Sequence, residues 1–167
     1  MKVSFLASQK DTEKRTPLSI EGIKKYNKLN IKLAIQKGLG KHLYDDQAYQ
    51  SNGCELDSRE NLLKTSDIIV QIESPLKEDI QHMKKEAIHI SYCDPFSELE
   101  CIQLCEKKGI TLLSLQMIPR TTRAQKMDVL SSQGNLAGYM AVILAVQNSH
   151  KVFPMMTTPS GTISPAR

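Results

Sequence analysis

Short apolar runs alternate with helical patterns along most of this chain, and that alternation restricts the possible folds more than any other feature. The runs predicted to be strands are Lys2–Ala7, Ile31–Ile35, Asp67–Ile72, Ala87–Tyr92 and Ile110–Leu115. A β-α-β-α order requires crossover connections, which pair parallel strands and place helices against the sheet. The sequence therefore predicts an α/β fold, with a Rossmann-like or flavodoxin-like parallel sheet and helices on both of its faces.

Several residue types mark where helices begin and end. Ser19 is a predicted N-cap and Gly109 a predicted helix terminator. After the fifth strand, residues 122–150 are predicted to form one long helix. Thr122 and Gln125 have the spacing of a capping box, which would place the start of this helix at Thr122.

These signals divide the chain into three segments. Residues 1–121 are expected to form the α/β domain, and residues 122–150 the long connecting helix. Residues 151–167 contain three prolines, and two short β-like runs flank "PSG", which predicts a β-hairpin tail. A chain of 167 residues is long enough for one well-packed core.

Composition excludes several functional classes. The net charge is +4, but the basic residues are scattered, and with 5% aromatic residues and no Trp nothing indicates nucleic-acid binding. The N-terminus lacks the pattern of a secretory signal. The longest uninterrupted apolar run, Gly138–Val146, is shorter than the roughly 20 residues that span a bilayer. We therefore expect a cytoplasmic protein.

The four cysteines contain no CxxC pair. Cys101 and Cys105 lie four residues apart and could contact one metal ion from the same helix, but the four histidines are dispersed and complete no ligand set. The sequence therefore predicts buried thiols and indicates no metal site.

Two loops near the predicted strand ends offer candidate ligand contacts. The "GLGKH" loop, Gly38–His42, has a G-x-G but no third glycine and no helix opening at it, so we expect it to be structural. Arg15 follows the first strand, where loops line the ligand crevice of such sheets. It is either a carboxylate-binding residue or a solvated arginine.

The segment "RTTRAQKMDVLSSQGNLAGY", residues 120–139, places many hydrogen-bonding groups just before an apolar helix. Capping accounts for Thr122 and Gln125 but not for Arg120, Arg123 and Asp128 together. A carboxamide presents one acceptor and two donors, which arginine or glutamine and aspartate can satisfy. The segment is either a solubilising surface or a site for a flat ligand that carries an amide.

The same segment, extended to "IPRTTRAQKMDVLSSQGNLAGYMAVILA", resembles a motif of the α subunit of proton-translocating NAD(P) transhydrogenase, P-R-x-S/T-R-A-Q-x-M/L-D-x-L-S-S-x-A/G-N-I/L-A-G-Y. Weaker similarity covers the rest of the chain, in "IQKGLGKHLYDDQAYQSNGCEL", "SDIIVQIESPLKEDI" and "EKRTPLS". Alanine dehydrogenase is the sister family.

The resemblance implies the N-terminal part of the NAD(H)-binding subunit. The segment at residues 120–139 would hold the carboxamide and ribose of NAD(H) while hydride passes directly to NADP(H) on a partner component. The residues carried over are Arg120, Gln125, Asp128 and Ser131, with weaker contributions from Thr121 and Thr122. Catalysis would come from positioning, with no catalytic acid–base pair, nucleophile or metal.

The resemblance also implies partners. A Rossmann half with the glycine-rich pyrophosphate loop would be supplied by a separately encoded polypeptide, together with the membrane and NADP-binding components. We expect a homodimer, and a cytoplasmic chain that is peripheral at the inner membrane through the complex. Alone, the chain is expected to be inactive.

Departures from the sister family bear on the alternatives. Arg15 matches one keto-acid ligand of alanine dehydrogenases, but Glu73 occupies the place of a lysine and Cys93 falls near that of a histidine. Gln71 replaces a lysine usual in both families. Three hypotheses remain: a portion of a transhydrogenase that needs another half, an inactive remnant or interaction module, and an oxidoreductase half of alanine-dehydrogenase type.

Overall fold

The computed structural model describes residues 1–165 of the chain and divides it into two compact units. The first unit is Met1–Ile118, and the second begins at Pro119.

Six strands and five helices alternate in the first unit, all of whose residues are described. They are β1 (Lys2–Phe5), α1 (Ile20–Asn27), β2 (Lys32–Gln36), α2 (Asp46–Ser51), β3 (Glu55–Asp57), α3 (Arg59–Thr65), β4 (Ile68–Glu73), α4 (Lys77–His82), β5 (Ile88–Tyr92), α5 (Leu99–Lys108) and β6 (Thr111–Ser114). The predicted caps are confirmed: the Ser19 hydroxyl accepts from the amide of Gly22, and Gly109 ends α5 with a φ of 73°.

The strands form one parallel sheet in the order β3-β2-β1-β4-β5-β6. This order confirms the predicted α/β class, and it is the order of the doubly wound dinucleotide-binding fold. Five of the strands were predicted from the sequence, but β3 and the helix α3 that follows it were missed. β3 has three residues and one apolar side chain, too few to show a strand period.

Helices cover both faces of the sheet, as predicted. On one face, Phe5 and Ile35 pack with Ile23 of α1 and Tyr49 of α2. On the other, the core is formed by sheet residues together with side chains of α3, α4 and α5: Leu6, Ala34, Leu62, Leu63, Ile69, Ile80, Met83, Cys105 and Ile110. Alternate residues of each strand point to opposite faces, so one short run supplies both cores.

The second unit contains α6 (Val129–Asn148) and a hairpin of β7 (Met156–Thr158) and β8 (Gly161–Ile163). The hairpin confirms the predicted tail, although residues 166 and 167 of that segment lie outside the described residues. The helix start predicted at Thr122 is wrong. Asp128 is the N-cap, because its carboxylate accepts from the Ser131 amide, and α6 begins at Val129.

By length and composition alone, α6 is long and apolar enough to cross a membrane. The sequence did not predict this, because only uninterrupted apolar residues were counted there. Most of the large apolar side chains of α6 are exposed in the described chain, including Leu136 and Tyr139. The helix is therefore an uncovered apolar surface of this unit.

Candidate functional site

The segment from Arg120 to Ser131 is organised around the N-terminus of α6. Asp128 Oδ1 accepts from the Ser131 amide at 2.9 Å, and Oδ2 accepts from the Ser131 hydroxyl at 2.5 Å. These bonds, with a smaller contribution from the charge of Arg120, hold the pKa of Asp128 below its usual value. The carboxylate is ionised at neutral pH, and its remaining lone pairs can accept from a ligand.

The residues between Pro119 and Asp128 form tight turns that place the polar side chains on the outside. Thr121 Oγ1 accepts from the amide of Ala124, at 3.4 Å, and Ala124 is buried. Gln125 begins a 3-10 turn, and its carbonyl accepts from the Asp128 amide at 3.2 Å. The structure thus places Gln125, Asp128 and Ser131 on adjacent turns, and the side chains of Thr121, Thr122 and Gln125 are exposed.

This arrangement offers donors and acceptors without a nucleophile or a proton-transfer pair. The guanidinium of Arg120 and the amide of Gln125 can donate to a carbonyl oxygen, and Asp128 can accept from N–H or O–H groups. The described residues include no glycine-rich turn that opens a helix, so a pyrophosphate cradle is absent from this part of the chain. The segment can orient the polar end of a ligand whose other end is held elsewhere.

The carboxyl ends of β1 and β4, where a doubly wound sheet usually binds its ligand, are filled by the protein itself. Arg59 of α3 lies there, and Nε and Nη2 donate to the two oxygens of Asp79 at 2.9 and 2.5 Å. Its Nη1 donates to the Ala7 carbonyl and to Gln36 Oε1, both at 3.1 Å. A further bond runs from Nη2 to Gln71 Oε1 at 3.0 Å.

These five contacts match the five N–H donors of a guanidinium. The Arg59 and Asp79 side chains are 14% and 6% exposed, so the pair is largely withdrawn from water. The resemblance did not explain why Gln71 stands where both families usually have a lysine. In this structure the Gln71 side-chain oxygen accepts a hydrogen bond from Arg59, and a lysine ammonium has no acceptor for that bond. Sequence reasoning missed Arg59, whose one local signal is its position just after Ser58, the N-cap of an unpredicted helix.

A cavity of about 300 Å³ lies between the loops that follow β1 and β2. Its lining includes four lysines, Lys10, Lys14, Lys37 and Lys41, and two acidic residues, Asp11 and Glu13. Arg15 also lines it, but its guanidinium forms an ion pair with Glu13, with Nε donating to Oε1 at 2.8 Å. In this structure Arg15 therefore already binds a carboxylate of its own chain.

The "GLGKH" loop has the structural role that was predicted. Gly38 and Gly40 have φ values of 79° and 62°, which favour glycine. A Cβ on Gly40 would lie 3.1 Å from the Thr16 side chain and 3.2 Å from the Tyr49 hydroxyl, so the backbone approaches both closely. The loop closes the first core through the buried Leu39, and its outer side lines the cavity described above.

Two further positions concern the alanine-dehydrogenase comparison. Glu73, at the place of the lysine, accepts a hydrogen bond from the Ser8 hydroxyl, and its other carboxylate oxygen is buried without a partner among the described residues. Cys93, near the place of the histidine, is buried, and burial raises its pKa. Neither side chain offers a cation to the carboxylate of a keto acid.

His89 lies on β5 and is fully buried, and both of its ring nitrogens lack a partner among the described residues. Burial lowers its pKa to about 4, because the charged imidazolium cannot be solvated there. The ring is therefore neutral near pH 7.

Comparisons with known proteins place these features in a family. The family model described as "Alanine dehydrogenase/PNT, N-terminal domain" matches residues 6–137. An NAD(P) transhydrogenase subunit alpha of Cereibacter sphaeroides is 35% identical over 157 residues, which cover 93% of this chain and 30% of the relative. An NAD(P) transhydrogenase subunit alpha polypeptide of Rhodospirillum rubrum is 29% identical over 100% of this chain and 45% of its own length.

Solved structures agree with this assignment. A transhydrogenase from Sinorhizobium meliloti superposes with a TM-score of 0.90 at 34% identity, over 99% of this chain and 50% of that one. An L-alanine dehydrogenase superposes with a TM-score of 0.80 at 17% identity, covering 99% of this chain and 46% of its own, and shows the shared fold. The chain spans half or less of the length of these relatives. It belongs to the alanine dehydrogenase and transhydrogenase N-terminal domain family, and it corresponds to the N-terminal part of the transhydrogenase α subunit.

Proposed function

We propose that this chain supplies the nicotinamide-binding half of an NAD(H) site in an NAD(P) transhydrogenase. In this proposal Arg120, Gln125, Asp128 and Ser131 hold the carboxamide and ribose of NAD(H), with Thr121 and Thr122 at the margin. Hydride passes directly to NADP⁺ on a partner component. The observation that carries the proposal is the long match of residues 119–139 to the transhydrogenase motif, on a segment where Asp128 caps a helix and the other side chains of the set are exposed.

The second half of the site would come from a Rossmann domain outside these 167 residues. The space at the carboxyl ends of β1 and β4 is occupied by Arg59 and its partners, which leaves little room for a pyrophosphate there. A separate glycine-rich loop would bind the phosphates, and this chain would orient the ring. Positioning the two nicotinamide rings against each other is sufficient for hydride transfer, because the reaction requires neither proton transfer nor a covalent intermediate.

Keto-acid chemistry of the alanine-dehydrogenase type has less support. Arg15 is already paired with Glu13, and Glu73 places a carboxylate where that chemistry needs a cation. A second negative charge near a keto-acid carboxylate would weaken its binding. We infer that turnover of pyruvate and ammonia with NADH will be absent.

We further propose that two copies of the chain assemble in the complex, at the cytoplasmic side of the inner membrane through the membrane component. Light scattering of the purified chain, alone and with the other transhydrogenase components, would measure the number of copies.

The proposal is tested by NADH fluorescence titration and by stopped-flow hydride transfer. The chain is titrated alone and after addition of the Rossmann half and the NADP-binding component of a transhydrogenase relative. We expect tight NADH binding and hydride transfer only in the mixture. Micromolar binding by the chain alone would contradict the half-site, and no binding in the mixture would favour the inactive-remnant hypothesis.

Matched variants locate the contacts. Asp128→Asn and Gln125→Asn should slow hydride transfer by roughly 10- to 100-fold, because small misplacement of the ring is costly. Arg120→Ala should act in the same direction. The controls are Arg123→Ala, an exposed arginine outside the proposed set, and Gln116→Asn, an exposed glutamine of the first unit; both should retain the wild-type rate.

A further inference from the structure

Two thiols and a carboxylate converge beyond the carboxyl end of β5. Cys93 directly follows that strand, Glu98 precedes α5, and Cys101 lies in the first turn of α5. The two Sγ atoms and a carboxylate oxygen of Glu98 all lie within 4.8 Å of one another. Spacing in the sequence did not reveal this group, because Cys93 and Cys101 are brought together by the β5-to-α5 turn.

Each of the three residues is fixed by a contact of its own. The Cys93 carbonyl accepts a hydrogen bond from the Ser114 hydroxyl on the neighbouring strand β6. Glu98 Oε1 accepts from the Asp94 amide at 3.1 Å. The Cys101 sulfur lies 3.8 Å from the Pro75 carbonyl oxygen, within hydrogen-bond range for a thiol. The Glu98 carboxylate and the Cys101 thiol are therefore held in place before any ligand binds, and the backbone of Cys93 is fixed beside them.

Their burial separates this group from a surface acidic cluster. Cys93 is 0% exposed, and Glu98 and Cys101 are only partly exposed. A further thiol, Cys105, lies one helical turn along α5 from Cys101. The group thus consists of soft sulfur donors and one oxygen donor.

The spacing and the donor types suit one metal better than others. Zn–S bonds of about 2.3 Å and Zn–O bonds of about 2.0–2.2 Å in a tetrahedron place neighbouring donors roughly 3.6–3.8 Å apart. The observed donors lie within 4.8 Å of one another, so their separations need to shorten by about 1 Å at most to reach that spacing. Thiolates exclude Mg²⁺ and Ca²⁺, which prefer oxygen ligands, and a carboxylate is a poor ligand for Cu(I).

We propose that Cys93, Glu98 and Cys101 bind a Zn²⁺ ion, with water in the fourth position. On binding, the two thiols lose their protons to solvent and the ion takes two thiolates and one carboxylate oxygen. The ion would tie the end of β5 to the start of α5. This site is separate from the Arg120–Ser131 segment and does not depend on the proposed hydride transfer.

Cobalt is the probe, because Co²⁺ takes zinc's place and thiolate ligation gives it charge-transfer and d–d absorption bands. The full chain is reduced, freed of metal with a chelator and titrated with Co²⁺ alone, followed by Zn²⁺. We expect the thiolate-to-cobalt bands to appear at one equivalent and to disappear as Zn²⁺ displaces Co²⁺. Absence of these bands in the wild-type chain would overturn the proposal.

Variants and matched controls assign the ligands. Cys93→Ser and Cys101→Ser should each weaken Co²⁺ binding more than about 100-fold, since even an outer partner of a ligand contributes roughly 10- to 100-fold. Glu98→Gln, at a partly exposed position that should tolerate the change, keeps the test valid if a cysteine variant does not fold. Cys54→Ser, in the other core, and Glu100→Gln, on the outside of α5, should bind as the wild type does. Unchanged bands in Cys93→Ser, Cys101→Ser or Glu98→Gln would contradict the assignment.

Discussion

Polar side chains gather at two places in this chain, and the two groups are built in opposite ways. Around Arg59 in the first unit, the guanidinium donors are met by groups of the protein itself, and the ion pair with Asp79 is largely buried. Along the Arg120–Ser131 segment in the second unit, Asp128 caps a helix, and its neighbours Thr121, Thr122 and Gln125 are exposed. One group is satisfied within the fold, whereas the other leaves most of its polar side chains exposed.

The contrast extends to the apolar residues of the two units. Phe5 is 1% exposed in the sheet core, whereas Leu144 on α6 is 51% exposed. A folded chain can tolerate many exposed apolar side chains, but a whole helix face of them marks a surface for another protein or domain. The first unit therefore derives its stability from its own core, whereas the described residues of the second leave most apolar side chains of α6 uncovered.

The largest effect on stability is expected for Phe5→Ala, and Leu144→Ala is its comparison. Phe5→Ala should lower the free energy of unfolding by about 3–5 kcal/mol, because it leaves a cavity in a packed core. Leu144→Ala should cost under about 1 kcal/mol. Urea denaturation measures both. A loss above about 2 kcal/mol for Leu144→Ala that depends on protein concentration would break the comparison, since it would mean that α6 is covered by a second copy.

The arginines give the next test. Arg59→Ala should cost about 3 kcal/mol, because it leaves the Asp79 carboxylate buried without its counter-charge. Arg120→Ala should change the unfolding free energy by less than about 0.5 kcal/mol. The double variant Arg59→Ala, Asp79→Ala should cost less than the sum of the two single changes, since the pair acts as a unit. Equal costs for the two arginines would contradict the difference between the groups.

A third test uses pH. The pKa of His89 is about 4 in the folded chain, against 6.5 when unfolded, so between these values the unfolded chain binds the extra proton. Stability should therefore fall as pH drops from 6.5 towards 4, by on the order of 2–3 kcal/mol from this residue alone. His89→Met should remove that part of the pH dependence. His150→Met, which changes an exposed histidine of the second unit, is the matched control and should retain it.

The smallest effect on stability is expected at the proposed NAD(H) contacts. Asp128→Asn should leave the urea midpoint unchanged within error, because asparagine caps a helix as well as aspartate does. The same variant is expected to reduce hydride transfer in the reconstituted complex, so stability and rate are measured together. If stability and rate fell together, Asp128 would be a residue that stabilises the fold, and it would belong with the Arg59 group rather than with the proposed NAD(H) contacts.

Local signals were sufficient for most of the architecture. The alternation of apolar runs with helical segments predicted the α/β class, and the Ser19 cap and the αL glycine at Gly109 were read directly from the chain. These features depend on residues within a few positions of each other, which sequence displays. The start of α6 was misplaced because Thr122 and Asp128 both have capping chemistry, and only the turns between them show which residue caps the helix.

The chain alone also indicated the candidate segment, because its motif is continuous between Pro119 and Tyr139 and the side chains of interest lie on one stretch of backbone. What only the tertiary structure decided is the pairing of distant residues. Arg59 meets Asp79, Gln71 and Gln36 across three elements, and Cys93 meets Glu98 and Cys101 across a turn. The Arg59 contacts arise when strands become neighbours in the sheet, and the cysteine group depends on the path of the turn between β5 and α5. The spacing of residues along the chain records neither.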